Sequence, residues 1–281
     1  MNILNSIDEV RSQIKTWRKE GLTIGLVPTM GFLHEGHESL IKRATKENDR
    51  VIVSIFINPT QFGANEDLET YPRDMKNDEA LCISAGANLI FNPSPSSMYY
   101  DDACTTINVS GLTDGLCGAK RPVHFGGVCL VVSKLFNIIT PDKAYFGEKD
   151  AQQLAVIKRM VRDMSFDIEI VGCPIVREVD GLAKSSRNIY LSERGRKASL
   201  ILNESLNLSK EALINGERDS RIIKDMIKEK INSEILAKID YIEVVDSLSL
   251  KPVTNIKSSI LVAIAIYIEN TRLIDNFTYI A

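Results

Sequence analysis

Val51–Ile57 (VIVSIFI) is the segment that most limits what this chain folds into, with Ser54 its one polar residue. A β-branched, almost unbroken apolar run of this length reads as a strand covered on both faces, the condition of a parallel sheet. Helical patterns surround it. His37–Asn48 precedes it, and Asp74–Ala85, closed by Gly86, follows it before a further strand at Leu89–Phe91. Upstream, Ser6 and Glu9 form a capping box, and Ile7, Val10, Ile14 and Trp17 recur at helical spacing until Gly21. Thr23–Val27 is then a short apolar strand, broken by Pro28. Downstream, helices at Gly126–Ile139 and Ala151–Met164 flank a strand at Ala144–Phe146, and Ile168–Val171 is strand-like. Strands alternating with helices predict an α/β fold, a doubly wound parallel sheet with right-handed crossovers. Sites in such sheets lie at the carboxyl ends of the strands.

The pattern changes near residue 185. Two charged amphipathic helices, Glu193–Asn215 and Asp219–Ala237, precede three strands, Tyr241–Val245, Ile260–Ile268 and Thr271–Ile280. This predicts a smaller C-terminal α+β domain. The boundary falls between Val176 and Ser192, and the division is set at residues 1–180 and 181–281. Hydrophobic residues at 44% and charged residues at 25% exclude a disordered chain. A net charge of −3 argues against a nucleic-acid coat or a polybasic membrane binder. The longest apolar run, Ile260–Ile268, is about half of the ~20 residues a membrane-spanning helix needs. The amino end mixes charges with apolar residues, unlike a signal peptide. Five dispersed cysteines with no C-x-x-C pair fit a reducing compartment, so a cytoplasmic location is expected.

Four segments hold residues suited to chemistry. Pro28–His37 follows the first strand and puts His34 and His37 around Gly36 at a helix start, where unpaired N–H groups attract phosphate. Neither a P-loop nor a dinucleotide fingerprint is present, so the alternatives here are a phosphate grip or two polar helix caps. With His124 a three-histidine metal site is formally possible, though no acidic cluster supports it. Asn58, Gln61 and Gly63 sit directly after Val51–Ile57, where the residues read first as an Asn-Pro turn, and alternatively as amides suited to a substrate bearing hydroxyl and carboxylate. Asn65–Arg73 is polar and aperiodic, a loop over the same edge. Phe146–Gln153 runs from strand to helix with Gly147 and Lys149, equally a phosphate contact or a solvated helix start. Asp180–Asn188 packs Lys184, Ser185, Ser186 and Arg187 into a turn-rich stretch, equally a phosphate grip or a solvated loop. Three of the four segments lie at carboxyl ends of expected strands.

Through PTMGFLHEGH at 28–37, SIFINPTQFGANEDLETYPR at 54–73, KRPVHFGGV at 120–128, KLFNIITPDKAYFGEKDAQQL at 134–154 and IVREVDGLAKSSRNIYLS at 175–192, the chain resembles the pantoate–β-alanine ligase family. The resemblance implies a Rossmann-like nucleotidyltransferase domain, a smaller C-terminal lid and a homodimer. It also implies an AMP-forming condensation of pantoate with β-alanine through a pantoyl adenylate, using ATP and Mg2+. By position, Met30, Gly31, His34, Gly36 and His37 would wrap ATP, with both histidines at its phosphates. Gln61 and Gln153 would hold pantoate, with Asn58 beside it. Gly147, Lys149 and Asp150 would contact nucleotide and phosphates, Val176 the adenine, and Lys184, Ser185, Ser186 and Arg187 the triphosphate. No protein residue is assigned to the metal. The chain departs from the family at Phe32, Val123 and Lys184, where Ala, Gly and Met are usual. Because of Val123, Arg121 and His124 receive no role. The chemistry fits the residue types: making an acyl adenylate develops charge on phosphate oxygens, which calls for positioned donors and cations more than a nucleophile. Another nucleotidyl-transferring enzyme of this fold, or a nucleotide-binding module without turnover, stands as the alternative.

Overall fold

The computed structural model describes residues 1–64 and 66–281; Asn65, the first residue of the expected polar loop, lies outside the described residues. The chain starts in a strand, β1 (Asn2–Leu4), which periodicity does not reveal because three residues carry no pattern. The Ser6–Glu9 capping box then opens α1 (Ile7–Lys19), and its buried face is Val10, Ile14 and Trp17. Such a cap stabilises the helix by about 1 kcal/mol. β2 (Ile24–Thr29) continues through Pro28 instead of stopping before it. The cause is the neighbour: the strand Lys143–Gly147 pairs with β2 only at Gly25 and Leu26, so no bond on that side is lost at Pro28.

α2 (Glu35–Glu47) starts two residues earlier than its apolar pattern, with His34 as its cap. β3 (Arg50–Ile55), α3 (Met75–Ser84) and β4 (Leu89–Phe91) follow. Short helices α4 (Pro95–Met98) and α5 (Leu116–Lys120) lead to the long apolar α6 (His124–Ile139). β5 (Lys143–Gly147), α7 (Ala151–Asp163) and β6 (Glu169–Cys173) complete the α/β part. The six strands form one sheet in the order β1-β4-β3-β2-β5-β6, with every pair parallel. After β2 the chain builds β3 and β4 on one side and then crosses to β5 on the other, so the switch in strand order lies between β2 and β5. Ligands of doubly wound sheets sit at that point.

Two compact units emerge. The first comprises 1–110, 121–148 and 153–174; the second comprises 111–120, 149–152 and 175–281. The first unit holds the six-stranded sheet, and one apolar cluster in it joins Val27, Val53 and Ile90 of the strands to Leu40, Ile41 and Ala44 of α2.

In the second unit the helix expected over Glu193–Asn215 is two helices, α8 (Glu193–Ala198) and α9 (Ile201–Ile214). The Ser199 hydroxyl donates to the Arg196 carbonyl at 2.7 Å, a local bond that competes with the helical ladder at the break. α10 (Ser220–Asn232), capped by Asp219, is shorter than its expected span because Ala237 already belongs to β7 (Ala237–Asp246). β8 (Ile260–Ile268) lies between β7 and β9 (Thr271–Tyr279) in an antiparallel sheet. Ile223, Ile227 and Ile231, four apart on α10, bury one stripe in the same cluster as Val262, Ile264 and Ile266 of β8. Each such burial stabilises by roughly 1.5–3 kcal/mol.

Candidate active site

The loop leaving β2 is set by a buried acid. Asp78 of α3 is 1% exposed and accepts from the backbone N–H groups of Phe32 at 2.9 Å and Leu33 at 2.6 Å. Burial pushes its pKa up even though the two backbone donors pull it down. Gly31 takes φ +86°, and a Cβ there would meet Asp78 Oδ2 and Ile55 Cγ2, each at 3.0 Å. Phe32 also has positive φ, at +51°. A left-handed residue beside a left-handed glycine is strained and persists because Asp78 holds both following amides.

That loop delivers the two histidines. His34 Nδ1 accepts from the Gly36 N–H at 3.1 Å, and His37 Nδ1 accepts from the His34 N–H at 3.3 Å. With Nδ1 an acceptor in each, the neutral rings carry their protons on Nε2. Their centroids are 4.1 Å apart. The structure bears out the helix-cap reading of this segment: the two histidines cap α2, and their rings pair at its N-terminus.

The Asn58–Gln61 segment is a single 3-10 turn, Pro59–Gln61, capped by Asn58. Asn58 is 1% exposed, and its amide is spent inside the protein. Its Nδ2 donates to Gln61 Oε1 and to the Gly127 carbonyl, both at 3.1 Å. Its Oδ1 accepts from the Thr60 hydroxyl at 2.9 Å and the Tyr99 hydroxyl at 2.7 Å. Asn58 thus stands behind Gln61, whose Nε2 reaches Met30 Sδ at 3.2 Å. Met30, His34 and His37 thus follow the end of β2, and Gln61 follows the end of β3 and reaches Met30. Gly147 ends β5, next to β2, and Gln153 is the third residue of α7.

Two residues left without a role by the sequence support this turn. His124 Nδ1 lies 3.0 Å from the Gln61 carbonyl, and Arg121 grips Glu66 through Nε at 2.7 Å. Burial opposes ionisation of Glu66, and the Arg121 guanidinium outweighs it, holding the carboxyl below the usual range. Val123, between them, is exposed. Gly127 has no room for a Cβ, which would fall inside the Thr60 carbonyl and the Gln61 nitrogen. The signal was present in the KRPVHFGGV stretch but needed the packing of α6 on the turn to be read.

The second unit holds the remaining candidates. Lys149 and Asp150 lie in the 3-10 turn Glu148–Asp150. Asn276 of β9 donates to the Lys149 carbonyl at 2.8 Å. Buried Gln152 donates to the carbonyls of Leu112 and Gly115 at 2.8 and 2.9 Å. Val176 accepts from the Lys184 N–H at 2.9 Å across a tight hairpin with Gly181 at its turn. The Lys184 ammonium pairs with Glu178 at 2.8 Å. Ser185 caps the 3-10 helix Ser186–Tyr190, and Ser186 is buried. Arg177 clamps the buried Asp275 through two bonds of 2.6 and 2.9 Å.

Comparison with known proteins finds relatives along nearly the whole chain. The family profile described as pantoate-beta-alanine ligase matches residues 2–278. A pantothenate synthetase of Clostridioides difficile is 67% identical over 277 residues, covering 99% of this chain and 98% of its own. One of Enterococcus faecalis is 65% identical over 279 residues, with 99% of each chain covered. Among solved structures, the Thermus thermophilus pantothenate synthetase superposes with a TM-score of 0.93 at 41% identity over 99% of each chain. The Francisella tularensis pantoate-beta-alanine ligase, complexed with beta-gamma ATP and beta-alanine, gives 0.80 at 36% identity, covering 99% of this chain and 97% of its own.

Proposed function

This chain belongs to the pantoate–β-alanine ligase family, whose members form an amide bond with the help of ATP, and we propose how its own residues divide that reaction. The pantoate carboxylate attacks the α-phosphorus of ATP, a new C–O–P bridge forms, and pyrophosphate leaves. The uncharged amine of β-alanine then attacks the activated carbonyl, the C–O bond breaks, AMP departs with the bridging oxygen, and the nitrogen releases one proton to solvent. His34 and His37 serve the phosphates through Nε2–H donors at the α2 N-terminus, and Met30, Gly31 and Gly36 shape the backbone around the nucleotide. Gln61, backed by Asn58, and Gln153 hold pantoate. Gly147, Lys149 and Asp150 contact nucleotide and phosphates, Val176 the adenine, and Lys184, Ser185, Ser186 and Arg187 the triphosphate.

One observation carries this reading: both imidazoles and the Gln61 amide are already oriented by protein hydrogen bonds. Donors fixed before charge develops lower the barrier without reorganising. Lys149 supplies a compact positive charge in the first step, where phosphate charge builds up.

Mg2+ enters this proposal with the ATP phosphates. Among the described residues no group of three or more His, Cys, Asp or Glu side chains could hold a metal ion, so no step is assigned to a resident metal. No helix among the described residues is long and apolar enough to cross a membrane. A cytoplasmic location and a homodimer complete the proposal, the latter tested by mass from light scattering at micromolar concentration, where a monomer would refute it. The enzymatic test is ATP-dependent pyrophosphate release over a panel of small hydroxy acids. Release with pantoate alone, and AMP with pantothenate only when β-alanine is added, is expected; release with a different acid in preference to pantoate would refute the assignment.

A further inference from the structure

Tyr99 lies outside every segment that the sequence marks for chemistry, one residue past α4. Its ring packs against Phe56, with centroids 6.2 Å apart, and the Lys134 ammonium sits 5.6 Å from its centroid. Its hydroxyl is 2.7 Å from Asn58 Oδ1.

The direction of that bond follows from the neighbours. Asn58 presents one end of its amide to the Gly127 carbonyl, an obligatory acceptor, so that end is the NH2. The other end is the carbonyl oxygen, and Tyr99 must donate to it, as the Thr60 hydroxyl does. Reversing the amide in place would set NH2 against these two hydroxyls and C=O against C=O. The second Asn58 N–H then points at Gln61, so the Gln61 atom it meets is Oε1 and the atom on its far side is the NH2. The polarity therefore runs from the Tyr99 hydroxyl through Asn58 to Gln61. A Gln61 amide turned round would offer a carbonyl oxygen to a carboxylic-acid substrate and repel it.

We propose that Tyr99 is a positioning residue for the acid substrate: its hydroxyl locks Asn58, and through Asn58 it fixes the Gln61 amide with the NH2 presented to pantoate. The proposal rests on the assignment of pantoate to Gln61 given above. Thr60 shares the lock but belongs to the same turn as Asn58 and moves with it. Tyr99 comes from 41 positions along the chain and ties the turn to the rest of the unit. Burial pushes the Tyr99 phenol up from its ordinary value, so it remains a donor at neutral pH.

The test is Tyr99→Phe, which keeps the ring and its contacts and removes only the O–H. The pantoate KM should rise about 3- to 10-fold, the usual effect of one lost hydrogen bond, while the ATP KM stays within about two-fold. In a Gln61→Ala background, where no amide remains to orient, the same substitution should change the pantoate KM by less than about two-fold. If Gln61→Ala itself leaves the pantoate KM unchanged, the assignment of pantoate to Gln61 is wrong and the relay falls with it. If Gln61→Ala raises that KM but Tyr99→Phe does not, or raises the ATP KM equally, or has the same effect in both backgrounds, the relay alone is overturned.

Discussion

The side-chain amide of Asn276 donates to the backbone carbonyl of Lys149 at 2.8 Å, across 127 positions of sequence. The bond ties the turn that presents a candidate phosphate-binding cation to the last strand of the chain. The neighbouring residue, Asp275, is held by two bonds from Arg177, so the β9 backbone that carries Asn276 is itself fixed. Asn276→Ala leaves the Lys149 carbonyl without this donor. It should destabilise the protein by about 1–3 kcal/mol and slow adenylate formation roughly 10-fold. Chemical denaturation and single-turnover quench measurements check the two parts; an unchanged adenylation rate would show that Lys149 is placed without Asn276.

Asp78 makes a separable prediction. Its two carboxylate oxygens serve two different backbone donors, Phe32 N–H and Leu33 N–H. Asparagine keeps one acceptor and turns the other into a donor facing an N–H. Asp78→Asn should therefore lower kcat/KM by about 10²-fold through displacement of the His34–His37 loop, and cost ~1–3 kcal/mol of stability. Gly31→Ala should do the same by adding a Cβ at positive φ against Asp78 and Ile55. Wild-type kinetics in Asp78→Asn would remove the carboxylate from the account.

Lys149→Ala separates the two chemical steps. Loss of one preorganised charge contact slows a reaction by roughly 10²–10³, and that loss should fall on adenylate formation. Amine attack on an adenylate already made should change far less. If adenylation were intact and amide formation crippled, Lys149 would belong to the β-alanine half of the reaction.

Thiol chemistry reports on the core. Burial pushes Cys82 up to about 12 and Cys129 and Cys173 up to about 11, so at pH 8 their reactive thiolates are scarce as well as shielded. Cys104 is exposed. Iodoacetamide at pH 8, read by peptide mass spectrometry, should modify Cys104 first and leave Cys82, Cys129 and Cys173 unlabelled until denaturant is added. Fast native labelling of Cys82 would contradict the packing of α3 on the sheet.

Local pattern reached a good part of this molecule. Ile260–Ile268 and Leu89–Phe91 are strands with the bounds their apolar runs imply, and Ser6–Glu9 caps α1 as its spacing implies. The parallel sheet was legible in Val51–Ile57 because burial on both faces removes polar alternation. What stayed hidden depends on contacts between distant residues. Pro28 continues β2 only because β5 stops pairing there, and the Ser199 break is decided by a side-chain bond inside an otherwise helical pattern. In the candidate site, His34, His37 and Gln61 were visible as residue types at strand ends. Asn58 was visible too, but its place behind Gln61 was not, since Tyr99 and Gly127 come from other elements. Asp78 gave no signal, because an acid inside a helix reads as a solvated face until its backbone partners are known.

The most direct test of the central claim follows one oxygen. With 18O in the pantoate carboxylate and a single turnover in the presence of ATP and β-alanine, the acyl-adenylate route predicts one labelled oxygen in the phosphate of AMP and the other in the pantothenate amide carbonyl. Unlabelled AMP, with the 18O found in pyrophosphate or in solvent, would contradict it.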